Sequence, residues 1–209
     1  MFELDKKTDL EFEEDVKDYS KFIVTSESIN NTVTKFFNGE IKKGYEIGIP
    51  CFDEHFVCKE KELYALTGQK GGGKTTINMA IQMMQSVVNG LVWVCAYQEN
   101  ADWGSKLNYL NYFLGEFPRD VKKSKPELYK LASDWIDKHF IFLDVETIKD
   151  ALETTEYLVS TGVNVHAVIL DPVNSFKGGY DSMGNGYLDN VETARIVQRW
   201  AHKVCSVYV

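Results

Sequence analysis

A chain of 209 residues has room for one sizeable domain and an appendage, and too little for two complete nucleotide-binding units. Hydrophobic residues make up 44% of it and charged residues 26%, a globular composition, and no apolar run is long enough to span a membrane, so no membrane partner is expected. The formal charge of −8 argues against a surface that is basic throughout, but eight acids against three lysines in residues 1–20 carry −5 of it, and the remaining −3 leaves room for a local site for an anionic partner.

Residues 1–5 lead into acids rather than an apolar segment, so no secretory leader is expected and a cytoplasmic protein is. Cys51, Cys58, Cys95 and Cys205 form no C-x-x-C pair and have no second ligand cluster, which favours reduced packing residues over a zinc site or a disulfide framework. Residues 1–21 are acidic and weakly periodic, and a mobile tail or a solvated helix without chemistry is expected there. Thr25, Ser26 and Ser28 can cap a short amphipathic helix carrying Ile29, Val33, Phe36 and Phe37 and ended by Gly39. Residues 1–43 thus read as a tail and linker helix ahead of a domain over 44–209.

Residues 44–61 are a turn-rich approach to a buried strand over 63–67. Gly68, Gln69, Lys70, Gly71, Gly72, Gly73, Lys74 and Thr75 follow, filling G-x-x-x-x-G-K-[ST], with Thr76 next. A helix begins inside the motif, its apolar face predicted at Ile77, Ala80, Ile81, Met84, Val87 and Val88. Strand, glycine loop and helix in that order are the context that gives the pattern meaning. Backbone N–H groups wrap a triphosphate only where side chains do not block the approach, and the helix N-terminus adds positive potential. Lys74 is placed on the β- and γ-phosphates, and the Thr75 hydroxyl can ligate Mg²⁺.

Asn89-Gly90 is a helix stop, and the apolar run 91–97 is a second buried strand ending at Gln98-Glu99-Asn100. Helices are predicted over 103–114 and 126–140 with their aromatics in the core, a strand over 140–145, and a helix over 148–160. A strand over 165–170 runs into Asp171-Pro172. Residues 173–187 are glycine-rich and patternless, and a loop this long in a compact domain is functional or disordered. A last helix opens at Asp189, with Val191, Ala194, Val197, Trp200 and Ala201 on one face, and 204–209 begins another strand.

Apolar, non-alternating strands that alternate with helices predict an α/β fold with a parallel sheet covered on both faces. Lys74, Glu99 and Asp171 then fall at strand C-terminal ends, the edge where such sheets hold ligands. The expected chemistry is nucleotide hydrolysis. Lys74 and Thr75 hold phosphates and metal, Asp171 holds the metal's water shell, and Glu99 deprotonates the attacking water.

Gly48-Ile49-Pro50, Asp53-Glu54-His55-Phe56, Glu62-Leu63, the segment 68–76, Tyr97-Gln98-Glu99-Asn100 and Ile169-Leu170-Asp171-Pro172-Val173-Asn174 follow one another in an order that resembles a known family. That family is the RecA-fold motor domain of hexameric replicative DNA helicases of the DnaB and Twinkle type, above all phage versions, and the resemblance spans 44–209. It implies a RecA-like P-loop NTPase core and 5′-to-3′ unwinding driven by ATP or dTTP with Mg²⁺. It also implies single-stranded DNA, further copies of the chain in a six-membered ring, and replication proteins such as a primase as partners, in a host cytoplasm if the chain is phage-encoded. The loop 173–187 occupies the place of the family's first DNA-contacting loop, which makes Lys177, Gly178 and Asn185 candidate phosphate contacts and Tyr180 and Tyr187 candidate stacking rings. The strand 204–209 ends before the family's sensor residue, and the arginine finger and later loops would lie farther on, so a motor shortened at its C-terminal side is expected. Two other readings fit the same residues: a RecA- or KaiC-like ATPase that does not unwind, and a nucleotide-binding interaction module without turnover.

Overall fold

A computed structural model of the chain describes residues 24–41, 44–99, 102–177 and 186–209. The acidic tail expected over 1–21 lies outside them. The chain divides into two units, Met1–Lys42 and Lys43–Val209. In the first, helix α1 (Ser26–Phe37) is capped by Thr25, whose hydroxyl accepts from the Ser28 N–H at 3.2 Å. Ile29, Val33, Phe36 and Phe37 on it are all exposed.

The second unit opens with a single turn, α2 (Pro50–Asp53), held by the Asp53 carboxylate, which accepts from the N–H groups of Ile47 and Gly48 at 2.6 and 3.0 Å. There follow β1 (Leu63–Tyr64), α3 (Lys74–Asn89), β2 (Val92–Tyr97), α4 (Asp102–Leu114), α5 (Pro118–Ser124), α6 (Pro126–His139), β3 (Phe140–Phe142), α7 (Ile148–Ser160), β4 (Val165–Asp171), α8 (Gly186–Ala201) and β5 (Ser206–Tyr208). The five strands form one all-parallel sheet in the order β1-β5-β4-β2-β3.

Successive side chains of a strand leave opposite faces, and here both faces are dry. Trp93, Cys95 and Tyr97 of β2 and Ala167 and Ile169 of β4 join Met79, Tyr109, Leu110, Ala132 and Ile136 from α3, α4 and α6. Val94 and Ala96 of β2 and Val168 and Leu170 of β4 join Ile148, Leu152, Val197 and Ala201 from α7 and α8. The sheet is therefore sandwiched between two helical layers, as the apolar strand pattern predicts.

Several elements differ from the sequence reading. The first strand is two residues long rather than five. The short helix α5 is unexpected; its four charges in seven residues leave no apolar stripe to read, and Pro118 and Val121 alone are buried. Helix α8 starts three residues before Asp189. Trp103 is 72% exposed, so the aromatics of α4 are not all core.

The largest difference is the face of α3. Ile77, Val87 and Val88 are exposed, while Asn78, Gln82, Gln85 and Ser86 are buried beside Met79 and Met83. Polar partners set the helix rotation here: the Ser86 hydroxyl donates to the Leu91 carbonyl at 3.0 Å, and Gln82 is engaged by Tyr97 and Tyr109.

Candidate functional site

Because all five strands are parallel, their C-terminal ends lie along one edge, and three of the segments leaving that edge line one cavity of about 700 Å³. From the loop after β1 come Thr67, Gly68, Lys70, Gly71 and Gly73, continuing into Lys74, Thr75 and Thr76 of α3. Glu99 enters two residues past the end of β2. Asp171, the last residue of β4, enters with Pro172 and Asn174. Gln69 and Gly72 belong to the same loop but do not line the cavity.

The loop has the backbone its glycines allow. Gly71 and Gly73 have φ of 76° and 81°, a left-handed conformation that a Cβ would strain, and Gly73 is the N-cap of α3. No atom lies within 4 Å of where a Cβ would stand at either residue, so both face open space. The N-cap has no side chain to satisfy the first N–H groups of α3, an arrangement that suits an anion. The Lys74 ammonium bends back to donate to the carbonyls of Gly68 and Gln69 at 3.1 and 3.2 Å.

Asp171 is 6% exposed, and its Oδ2 has no hydrogen-bond partner. A buried carboxylate oxygen left alone costs stability, so this atom is suited to a cation or a cation-bound water. With the Thr75 hydroxyl in the same cavity, the pair fits a hard, oxygen-preferring ion such as Mg²⁺ that keeps most of its ligands as water and phosphate. Among the described residues no group of three or more His, Cys, Asp or Glu gathers that could hold a metal ion.

Glu99 is exposed and lines the cavity. Its strand end is tied to the Asp171 strand: Tyr97 stands opposite Asp171 in the β2–β4 register, and the Gln98 N–H donates to the Asp171 carbonyl at 3.0 Å. The Gln98 amide also donates to the Val145 carbonyl at 2.7 Å. The stretch before Glu99 is thus pinned on both sides.

The proposed DNA loop is described only in part. It opens with a 3₁₀ turn over Val173–Ser175. Lys177 does not line the cavity; its ammonium pairs with Glu146 at 2.8 Å and its N–H donates to the Glu146 carbonyl at 2.9 Å. Gly178, Tyr180 and Asn185 lie outside the described residues, as does the side chain of Tyr187.

The four cysteines are free thiols, with Cys58, Cys95 and Cys205 buried and Cys51 exposed. Burial pushes the Cys95 and Cys205 thiols up to about 12, which keeps them protonated packing groups. No described helix is long and apolar enough to cross a membrane.

Sequence reading missed Thr67 as a wall of the cavity, and it missed the buried contacts of Gln82 behind the glycine loop. The only signal for the second was polarity: Asn78, Gln82, Gln85 and Ser86 recur at helical spacing just as the apolar residues do. No protein-family model matches the chain, and no curated protein matches it.

Proposed function

We propose that this chain binds a nucleoside triphosphate with Mg²⁺ and hydrolyses its terminal phosphoryl group, and that hydrolysis drives movement along single-stranded DNA in a RecA-like helicase motor. The first half is carried by one observation. A glycine loop with its lysine and threonine, a buried aspartate with an unpartnered oxygen, and an accessible glutamate come from three strand ends into one cavity. The second half is supported by the motif order along 44–209.

In this reading the N–H groups of 71–75 and the Lys74 ammonium hold the β- and γ-phosphates, Lys74 giving up its loop carbonyls for them. Asp171 and Thr75 would hold Mg²⁺, which would supply charge neutralisation for the transferring phosphoryl group. Glu99 takes a proton from a water as its oxygen attacks the γ-phosphorus; the bond to the β–γ bridging oxygen breaks, and the diphosphate leaves with that electron pair.

The Lys177–Glu146 ion pair favours a second reading on one point. With its cation partnered, the described part of the loop offers DNA little free positive charge, as in a RecA- or KaiC-like ATPase that does not unwind.

Titration with a fluorescent triphosphate and Mg²⁺ tests the binding half. Lys74→Ala should weaken affinity about 10–100-fold, the worth of hydrogen bonds to a charged group. An unchanged affinity contradicts the site. Strand separation of a duplex with a single-stranded tail in the presence of ATP separates the two readings, since unwinding is expected of the helicase motor alone.

A further inference from the structure

Three polar side chains, none of them lining the cavity, are buried together in the layer over one sheet face. They are Gln82 on α3, Tyr97 at the end of β2 and Tyr109 on α4, with exposures of 0, 8 and 0%. The Tyr109 hydroxyl donates to Gln82 Oε1 at 2.5 Å, the two tyrosine oxygens are 2.7 Å apart, and Gln82 Nε2 donates to the Tyr97 oxygen at 3.4 Å. Since the Tyr109 proton goes to Gln82, Tyr97 must donate to Tyr109. The three bonds close into a ring that runs in one direction, in which each residue donates once and accepts once. Cys95 Sγ lies 3.8 Å from both Gln82 Oε1 and the Tyr109 hydroxyl. Burial holds both tyrosines well above the ordinary tyrosine range, so their hydroxyls keep their protons and the ring its direction.

An apolar core would pack this space without desolvating three polar groups, so the ring does something packing alone does not. What it joins is informative. Gln82 lies on the same helix as Lys74 and Thr75. Tyr97 precedes Glu99 by two residues and stands opposite Asp171 in the sheet. Tyr109 lies on α4, the element that follows Glu99 in the chain. The ring therefore ties together the helix that begins the phosphate cradle and both elements that bracket Glu99, at atoms that never touch the cavity.

We infer that the Gln82–Tyr97–Tyr109 ring is a positioning device that fixes Glu99 relative to the phosphate cradle, so that occupancy of the cradle is felt at Glu99. The inference rests on the nucleotide-hydrolysis reading above. All three are positioning residues; none meets the nucleotide. A directional ring suits the task because it has discrete bonded and unbonded states.

The test compares the wild-type chain with Tyr109→Phe, which removes one oxygen and keeps the ring volume, and with the triple variant Gln82→Leu/Tyr97→Phe/Tyr109→Phe, which leaves no buried polar group of the three unpaired. The probe is a non-hydrolysable ATP analogue with Mg²⁺. Three quantities are read: its affinity, amide hydrogen exchange in peptides covering Gln98 and Glu99 with and without it, and kcat for ATP. In the wild type the analogue should slow exchange there about tenfold. In both variants that slowing should disappear while affinity stays within about twofold, and kcat should fall about 10–100-fold, the scale of a misplaced reacting group. The triple variant should recover the melting temperature that Tyr109→Phe loses, yet not kcat or the exchange response. A merely structural ring predicts the reverse: kcat and exchange return with the melting temperature, and that result overturns the inference. So does a Tyr109→Phe variant whose exchange response and kcat match the wild type. A wild-type chain that does not bind the analogue overturns the nucleotide reading underneath, and the inference falls with it.

Discussion

His166 sits near the start of β4, edge-on to Tyr45 and Trp93 with ring centroids 4.8 and 5.5 Å away, and its Nε2 is shielded and without a hydrogen-bond partner. Burial lowers its pKa from 6.5 to about 4, with the Glu60 carboxylate pulling the other way. Between those two values an unfolded chain binds a proton that the folded chain refuses. Stability from this group is therefore complete above about pH 6.5 and is lost as the pH falls toward 4, by no more than about 3 kcal/mol. Urea denaturation at a series of pH values should show that loss, and His166→Gln should flatten it. An identical slope in the variant would mean the proton is taken up elsewhere. At the same scale the convergence on one cavity was legible, because the glycine motif places Lys74 and Thr75 at the start of the helix after a strand, and the apolar runs before Glu99 and Asp171 place both at strand ends.

Among elements, α3 separates what periodicity can tell from what it cannot. Apolar spacing identified the helix and its start at the glycine loop, and Gly90 in the left-handed conformation ends it as the sequence suggests. The same spacing found the face only in part: Ile81 packs against the core and Ala80 and Met84 are half-buried, while Ile77, Val87 and Val88 are exposed. Counting apolar residues treats glutamine as a solvent-facing group, and here Gln82 is buried because two tyrosines, 15 and 27 residues later, satisfy it. Nothing local announces such partners. Val87→Ser, on the exposed side, should change the urea stability by less than about 0.5 kcal/mol. Gln82→Ala should cost about 1–3 kcal/mol, because the Tyr109 hydroxyl loses its acceptor inside the core. Equal losses for the two would return the helix to the face its apolar residues suggested. Helix α7 has the bounds expected, and it begins after Thr147, whose hydroxyl accepts from the Asp150 N–H, a cap that the sequence reading did not name.

For the whole second unit, the strand order explains how distant residues meet. β5 lies between β1 and β4, so the loop after β1 and the end of β4 flank an inserted strand, while β2 and β4 are direct neighbours. That order was not legible: β1 is two residues long, and no pattern in it tells which strand it pairs with. The parallel direction and the covering of both faces were legible, since the buried positions of β2, and those of β4 before Asp171, are apolar. Parallel direction brings every strand's C-terminal end to one edge, and there the glycine loop, the buried aspartate and the glutamate share a cavity. The claim with most at stake is that this edge cuts a phosphoryl bond rather than merely holding a nucleotide. Glu99→Gln keeps the shape and removes the base, so phosphate release under saturating ATP and Mg²⁺ is the direct measurement. The account predicts unchanged nucleotide affinity and a rate about 10²–10⁴-fold below the wild type; a variant that releases phosphate at the wild-type rate would contradict it.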